Sequence, residues 1–354
     1  MGKFFYRLIS DNSDMAYSLF RPILFALDPE RAHHAAFAAL DAQAALGLAR
    51  VWAGQLPAPQ PVTVMGLSFP NRVGLAAGLD KDAKHLRGLS QLGFGFIEVG
   101  TLTPKAQPGN PTPRMFRLPE HEGLINRLGF NNGGVADAVK RLNARDTPVP
   151  VGVNIGKNAA TPIENALDDY LTALRAVYAA ADYITINISS PNTKNLRDLQ
   201  APDSVAALVN RIVREGEKLV KTHGKRKPIA VKIAPDLDNA IVTNVVSAII
   251  DAGADAIISS NTTISRDGVA GHAHASETGG LSGAPLTKRA DAMLGNVVKA
   301  AAGRVPIIGV GGIMSVADAK RKLEIGASLI QIYTGMLYRG PGFVGELVRG
   351  LHQK

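Results

Sequence analysis

The sequence contains no cysteine. That absence excludes disulfides, thiolate-bound zinc, iron–sulfur clusters and a thiolate nucleophile, so any chemistry falls to oxygen and nitrogen side chains or to a bound organic cofactor. No metal site is expected. Aromatic residues are scarce, at 5% with one Trp, which argues against a stacking platform for single-stranded nucleic acid. No apolar run reaches bilayer-spanning length, and Asp11, Asp14 and Asp28 interrupt the N-terminal apolar stretches. Neither a secretory leader nor a spanning helix is expected, and the chain is expected on the cytoplasmic side. Dense blocks of one charge are also missing. The net +9 comes from 39 basic and 30 acidic residues, and only 224–227 (GKRK) forms a compact run. Dispersed positive charge suits phosphates, anionic headgroups or acidic small molecules, and the run itself reads as solvated surface.

What is present is material for a large core, 46% hydrophobic residues in 354. Residues 1–54 stand apart, rich in Ala, Leu and Phe. Asp28-Pro29-Glu30-Arg31 is a helix start, with Asp as N-cap and Pro at the first helical position. The helix runs through His33, Phe37 and Leu40 toward Gly47, and Pro22 is expected to separate it from an earlier helix. This pair either caps the rest of the protein or lays an apolar face on a membrane, flanked by Lys3, Arg7, Arg21 and Arg31. Residues 55–60 carry Pro57 and Pro59 and read as a linker. A short strand pair around Met65-Gly66 follows, placed to plug a barrel.

From residue 72 onward, short apolar runs alternate with helical patterns. Strands are predicted at 72–77, 95–99, 149–154, 182–187, 228–233, 255–260, 305–309 and 328–332. Helices are predicted at 162–180, 203–222, 238–252, 286–302 and 315–325. Eight strand-then-helix units predict a closed (β/α)8 barrel over 55–354 behind the N-terminal helical segment 1–54. An open doubly wound sheet is the alternative, but it wants Gly-x-Gly-x-x-Gly after its first strand, where this chain has Ala76-Ala77-Gly78-Leu79-Asp80-Lys81.

Barrel chemistry projects from strand C-termini. Those ends carry Gly78 to Lys81, Thr101, Asn154, Asn187 with Ser190, Lys232, Ser260-Asn261-Thr262, Gly311-Gly312 and Tyr333-Thr334. Lys232 stands inside an apolar strand, where a charge is rarely tolerated without an anion or ligand. Glycines at 279–283 and 309–312 are read as turns that bring backbone N–H groups to a phosphate. The long connection 102–148 is expected to carry function, with amide-rich 126–133 suited to a planar ligand bearing both N–H and C=O; Asn132-Gly133 reads as a turn.

AAGLDKD (76–82), NRLGFNN (126–132), NIGKN (154–158), NISSPNT (187–193), VKIAPD (231–236), NTT (261–263), TGGLSG (278–283) and GVGGI (309–313) together resemble the quinone-dependent, membrane-associated class of dihydroorotate dehydrogenases. The resemblance runs from about Asp28 to the C-terminus. It implies oxidation of dihydroorotate to orotate in pyrimidine biosynthesis, with one FMN per subunit and a quinone as final acceptor. FMN contacts are implied for Ala77, Gly78, Leu79, Asp80, Lys81, Thr101, Asn154, Asn187, Lys232, Ser260, Gly283, Gly312, Tyr333 and Thr334. The family commonly has Thr where Ser260 stands, and the hydroxyl is kept.

Substrate contacts are implied for Lys81, Asn126, Arg127, Leu128, Gly129, Phe130, Asn187, Asn192, Asn261 and Thr262. Ser190 matches the base that removes the C5 proton while flavin takes the hydride from C6, and a water or Thr relay is expected to help it. Residues 192–200 match a lid. His33, Arg117 and Tyr333 match residues facing the quinone. The resemblance further implies a peripheral enzyme on the cytoplasmic face of the inner membrane, a monomer, with no nucleic-acid partner. Residues 1–14 depart from the bacterial pattern. Another FMN-dependent dihydropyrimidine oxidoreductase, or a non-catalytic phosphate-binding barrel, are the alternatives.

Overall fold

The computed structural model describes residues 13–352, with side chains from residue 17 onward. Lys3 and Arg7, read above as flanking charges, lie outside the described residues.

Three helices open the described chain: α1 (Ser13–Ala26), α2 (Pro29–Ala45) and α3 (Arg50–Ala53). Pro22 does not divide the first two, but lies inside α1. Loss of one i→i−4 bond is tolerated there, and the break falls at Asp28, whose carboxylate accepts from the N–H of Glu30 at 3.0 Å and Arg31 at 3.1 Å. That cap, with Pro29 behind it, starts α2 where the sequence predicts. The antiparallel hairpin β1 (Val62–Val64) and β2 (Leu67–Phe69) follows. Val64 and Phe69 pack with Phe96, Tyr183, Ala230, Ala256, Ile308 and Leu329, so the hairpin plugs the end of the barrel where the strands begin.

The predicted barrel strands are all found: β3 (Val73–Leu75), β4 (Phe96–Leu102), β7 (Val151–Ile155), β8 (Tyr183–Asn187), β9 (Ile229–Ile233), β10 (Ala256–Ser259), β12 (Ile307–Val310) and β13 (Leu329–Ile332). Each pairs in parallel with its chain neighbour, and β13 closes back on β3. Helices α4 (Leu86–Gln91), α5 (Val135–Asn143), α6 (Ala166–Val177), α7 (Pro202–His223), α8 (Asn239–Asp251), α9 (Thr287–Ala301) and α10 (Val316–Ile325) lie between strands, and α11 (Thr334–Arg339) and α12 (Gly342–Leu351) end the fold. Val and Ile dominate the buried strands, as expected when both faces are covered.

One element departs from the prediction. Residues 280–283 form no turn; they are strand β11 (Gly280–Gly283), paired antiparallel with β6 (Gly123–Asn126), which also pairs with β5 (Met115–Leu118). The reason is steric and long-range: a Cβ at Gly283 would stand 2.1 Å from the Glu122 carbonyl oxygen. Glycine therefore allows two backbones to meet, which local sequence reads as flexibility.

Candidate active site

Where the barrel strands end, a cleft opens that encloses about 1000 Å³ of space, its mouth included. From β3 it receives Ala77, Gly78 and Lys81, and from β4 Thr101. The long connection contributes Asn126, Leu128, Gly129 and Phe130, and β8 with its following loop contributes Asn187, Ser190 and Asn192. Lys232, Ser260, Asn261, Thr262, Gly283, Gly312, Tyr333 and Thr334 complete the lining.

The polar wall is built from strand ends because those positions combine a rigid backbone with a free side chain. Asn154 Oδ1 accepts from Thr101 Oγ1 at 2.6 Å and from Asn187 Nδ2 at 3.1 Å. Asn187 Oδ1 accepts from the Ser189 N–H at 3.1 Å and Oγ at 2.9 Å, and Asn261 Nδ2 donates to Ser189 Oγ at 2.9 Å. Ser190 is 5% exposed, and its Oγ accepts from the Asn192 N–H at 3.2 Å. Asn192 Nδ2 in turn donates to Asn126 Oδ1 at 3.3 Å. The 192–200 loop is thereby joined to the long connection across the mouth.

Two ammonium groups face this space. Lys232 is buried, and its Nζ donates no hydrogen bond among the described residues. Burial lowers its pKa, and the Glu98 carboxylate acts in the opposite direction. Burial likewise lowers Lys81 to about 8, opposed chiefly by the Glu30 carboxylate. A half-sated cation in a cavity calls for an acceptor-bearing or anionic ligand.

Several expected residues sit elsewhere. Arg127 turns outward to Glu277, donates to the Pro113 carbonyl at 2.9 Å and lies over the Phe116 ring, because its guanidinium finds a carboxylate and an aromatic face outside the cleft. Leu79 is core. The Asp80 carboxylate is used by the backbone, accepting from the N–H of Lys84 and His85 at 2.8 and 2.9 Å. Asn154 stands behind the wall, outside the cavity lining. His33 and Arg117 are also outside the cleft: His33 meets Phe37 edge-on at 4.7 Å, and Arg117 donates to the carbonyls of Phe25 and Leu27 at the end of α1. Of the three residues matched to the quinone, Tyr333 alone lines the cavity. Burial lowers His33 to about 3 and raises Tyr333 to about 12, so both are neutral at physiological pH.

The family model for dihydroorotate dehydrogenase matches residues 60–354. The dihydroorotate dehydrogenase (quinone) of Thiobacillus denitrificans is 52% identical over 339 residues, covering 96% of this chain and 100% of that protein. That of Chromobacterium violaceum is 52% identical over 339 residues, covering 96% and 98%. The chain belongs to the dihydroorotate dehydrogenase family. Among solved structures, the Eimeria tenella enzyme in complex with ferulenol superimposes with a TM-score of 0.82 at 36% identity, covering 93% of each chain.

In this member of the dihydroorotate dehydrogenase family, the residue that strand-end reading missed is Glu98. It lies mid-strand in β4 with no exposure, and receives Asn154, Tyr183, Thr185 and Gln331. Burial, then the charge and hydrogen bond of this carboxylate, raise the Tyr183 phenol well above its ordinary value. The signal was available, since a Glu inside the apolar run 95–99 is as anomalous as Lys232. Ser282, Leu286, Met314 and Gln331 also line the cleft and carry no signal in local sequence.

Proposed function

We propose that this cleft oxidises dihydroorotate to orotate, with FMN as hydride acceptor and a membrane quinone as final electron acceptor, the step that forms the pyrimidine ring's double bond in UMP biosynthesis. The observation that carries the reading is the placing of four amide side chains, Asn126, Asn187, Asn192 and Asn261, around Ser190 in one cavity. Amides donate and accept together, matching the alternating N–H and C=O edge of a pyrimidinedione, and an analogue lacking either leaves a buried group unpaired.

The residues present fit FMN. Gly312 is at φ +71, and a Cβ there would stand 2.3 Å from Thr287 Cα, so only glycine lets this turn close at the cavity rim. Beside this turn α11 begins at Thr334, and a Cβ at Gly335 would stand 2.2 Å from the Ile313 carbonyl oxygen; the first N–H groups of a helix have no intrahelical acceptor. Gly312, Thr334 and Gly283 would hold the phosphate end, and Ala77, Gly78, Thr101, Lys232, Ser260 and Tyr333 the ring system. FMN, when bound, supplies hydride acceptance, which no side chain of this chain can. Leu79, Asp80 and Asn154 support these positions from behind.

Lys81 supplies positive charge for the substrate carboxylate. The amides orient the ring, and Leu128, Gly129 and Phe130 cover it from the long connection. Ser190 Oγ takes the C5 proton and passes it to water. The loop 192–200 closes the mouth and excludes bulk solvent. Arg127 acts on the substrate only by holding the connection that bears Asn126.

The N-terminal segment, whose described part is α1 to α3, docks on the membrane and admits quinone toward His33, Arg117 and Tyr333. Leu19, Phe20 and Ile23 on α1 are 72%, 57% and 64% exposed, an apolar surface that suits an interfacial helix. No helix among the described residues is long and apolar enough to cross a membrane. The protein works as a peripheral monomer on the cytoplasmic face of the inner membrane. The deciding test is dihydroorotate-dependent reduction of a ubiquinone analogue, run beside fumarate and NAD. Protein that stays colourless with added FMN, or that prefers NAD, would defeat the reading.

A further inference from the structure

Glu98 has no solvent exposure, and none of the roles above uses it. A carboxylate only accepts hydrogen bonds, and four groups donate to this one. Oε2 accepts from Tyr183 Oη at 3.0 Å, Thr185 Oγ1 at 3.2 Å and Gln331 Nε2 at 2.8 Å. Oε1 accepts from Asn154 Nδ2 at 2.8 Å.

The bond to Asn154 reaches the cavity. With Nδ2 committed to Glu98, Asn154 must turn Oδ1 toward the wall, where Thr101 Oγ1 and Asn187 Nδ2 donate to it. Asn187 Nδ2 is thereby a donor, and it also reaches Thr101 Oγ1 at 2.9 Å. Its Oδ1 must then face Ser189, accepting from the N–H and from Oγ. Ser189 Oγ has used its proton and accepts from Asn261 Nδ2. Asn261 finally turns Oδ1 to the Thr262 N–H at 2.7 Å. An amide reversed end for end has nearly the same shape, so packing alone does not set these directions. The main-chain N–H groups of Ser189 and Thr262 fix Asn187 and Asn261, and Asn154, which has no such donor among the described residues, is fixed by the acceptor-only Glu98.

We propose that Glu98 is a positioning residue: it turns Asn154 so that Oδ1 meets the Nδ2 of Asn187 as an acceptor, in register with the main-chain donors to Asn187 and Asn261, and so keeps the amide wall in the one polarity that accepts a planar lactam. The proposal rests on the reading of this cleft as the orotate site, since Asn187 and Asn261 both line it.

Glu98→Gln tests it. The new amide oxygen can stand in for Oε2 and keep the bonds to Tyr183, Thr185 and Gln331, while its N–H meets Asn154 Nδ2, donor against donor. Orotate affinity of the FMN-loaded protein, measured by calorimetry, is expected to fall roughly tenfold or more, the factor for one buried polar group left unpartnered, with flavin content retained. Adding Asn154→Asp restores an acceptor-only group one step nearer the wall and should recover most of that affinity, which a merely structural loss would not. Unchanged affinity in Glu98→Gln, or no recovery in the double variant, overturns the proposal. Should Glu98→Gln alone fail to fold, the double variant decides, supporting the proposal if it folds and binds orotate and overturning it if it does not. Wild-type protein that binds no orotate defeats the reading of the site instead. Polarity is then judged by melting temperature, with the double variant expected above Glu98→Gln and the reverse order overturning the proposal.

Discussion

Arg197 donates from Nε to the carbonyl oxygen of Ser189 at 2.9 Å, one residue before the serine at the cavity wall. The same guanidinium reaches Asp236 Oδ2 at 2.8 Å and the Thr262 carbonyl at 2.9 Å, so a residue of the 192–200 loop is fastened to the loops after three different strands. Hydrogen bonds to charged groups contribute about 1.5–3 kcal/mol. Arg197→Ala is expected to lower dihydroorotate turnover by roughly one to two orders of magnitude and to expose the loop to limited proteolysis, with FMN retained. Steady-state kinetics beside a proteolysis time course checks both.

Ser190→Ala removes the proton acceptor without touching the flavin contacts. Turnover should fall by about 10²–10⁴, the range for loss of a general base, while the visible flavin spectrum stays. Undiminished turnover would take Ser190 out of the base role.

The lowered pKa of Lys81 makes substrate binding pH-dependent. Its folded value of about 8 lies below the ordinary 10.5, so the ammonium is present below pH 8 and lost as pH rises through it. Affinity for the orotate anion should weaken across that step, and Lys81→Met should flatten the profile at the weak limit. Bound anion favours the charged form and moves the step upward in the complex. The ligand-free protein shows the linked effect with its own sign: between about 8 and 10.5 the unfolded chain holds this proton and the folded one does not, so this group's contribution to stability rises with pH there. Calorimetric titrations between about pH 6.5 and about 9.5 cover the binding window.

Gly312→Ala forces a Cβ to 2.3 Å from Thr287 Cα at a backbone φ of +71. Strain of about 1–3 kcal/mol is expected, together with partial loss of flavin. The ratio of flavin to protein absorbance and the melting temperature report the two effects separately.

Leu19→Glu with Ile23→Glu places charge on the exposed face of α1, which makes no core contact to lose. Co-sedimentation with liposomes should be abolished, whereas melting temperature and dihydroorotate-dependent reduction of a soluble dye should hold.

Much of this was legible because barrel folds write their chemistry at strand ends. The (β/α)8 order, the Asp28-Pro29 helix start, the lone Lys232 and the run 187–192 each depend on local periodicity, capping or turn chemistry, which a chain carries in consecutive residues. Pro22 and the glycines at 280–283 were misread for one shared reason. A proline's or glycine's local tendency sets only what is permitted, and the neighbours that tolerate a missing N–H or demand a missing Cβ come from elsewhere.

Composition and order alone determined that a closed barrel forms and that a cysteine-free site with amides and a serine opens at its mouth. Tertiary structure alone decided the directions within that site. Arg127 turns away because Glu277, far along the chain, offers it a carboxylate, and Asn154 is oriented because Glu98 on a neighbouring strand accepts its amide. Residue types follow from sequence, but which end of an amide or which face of a loop meets the ligand depends on partners that only closure of the barrel brings within 3 Å or so.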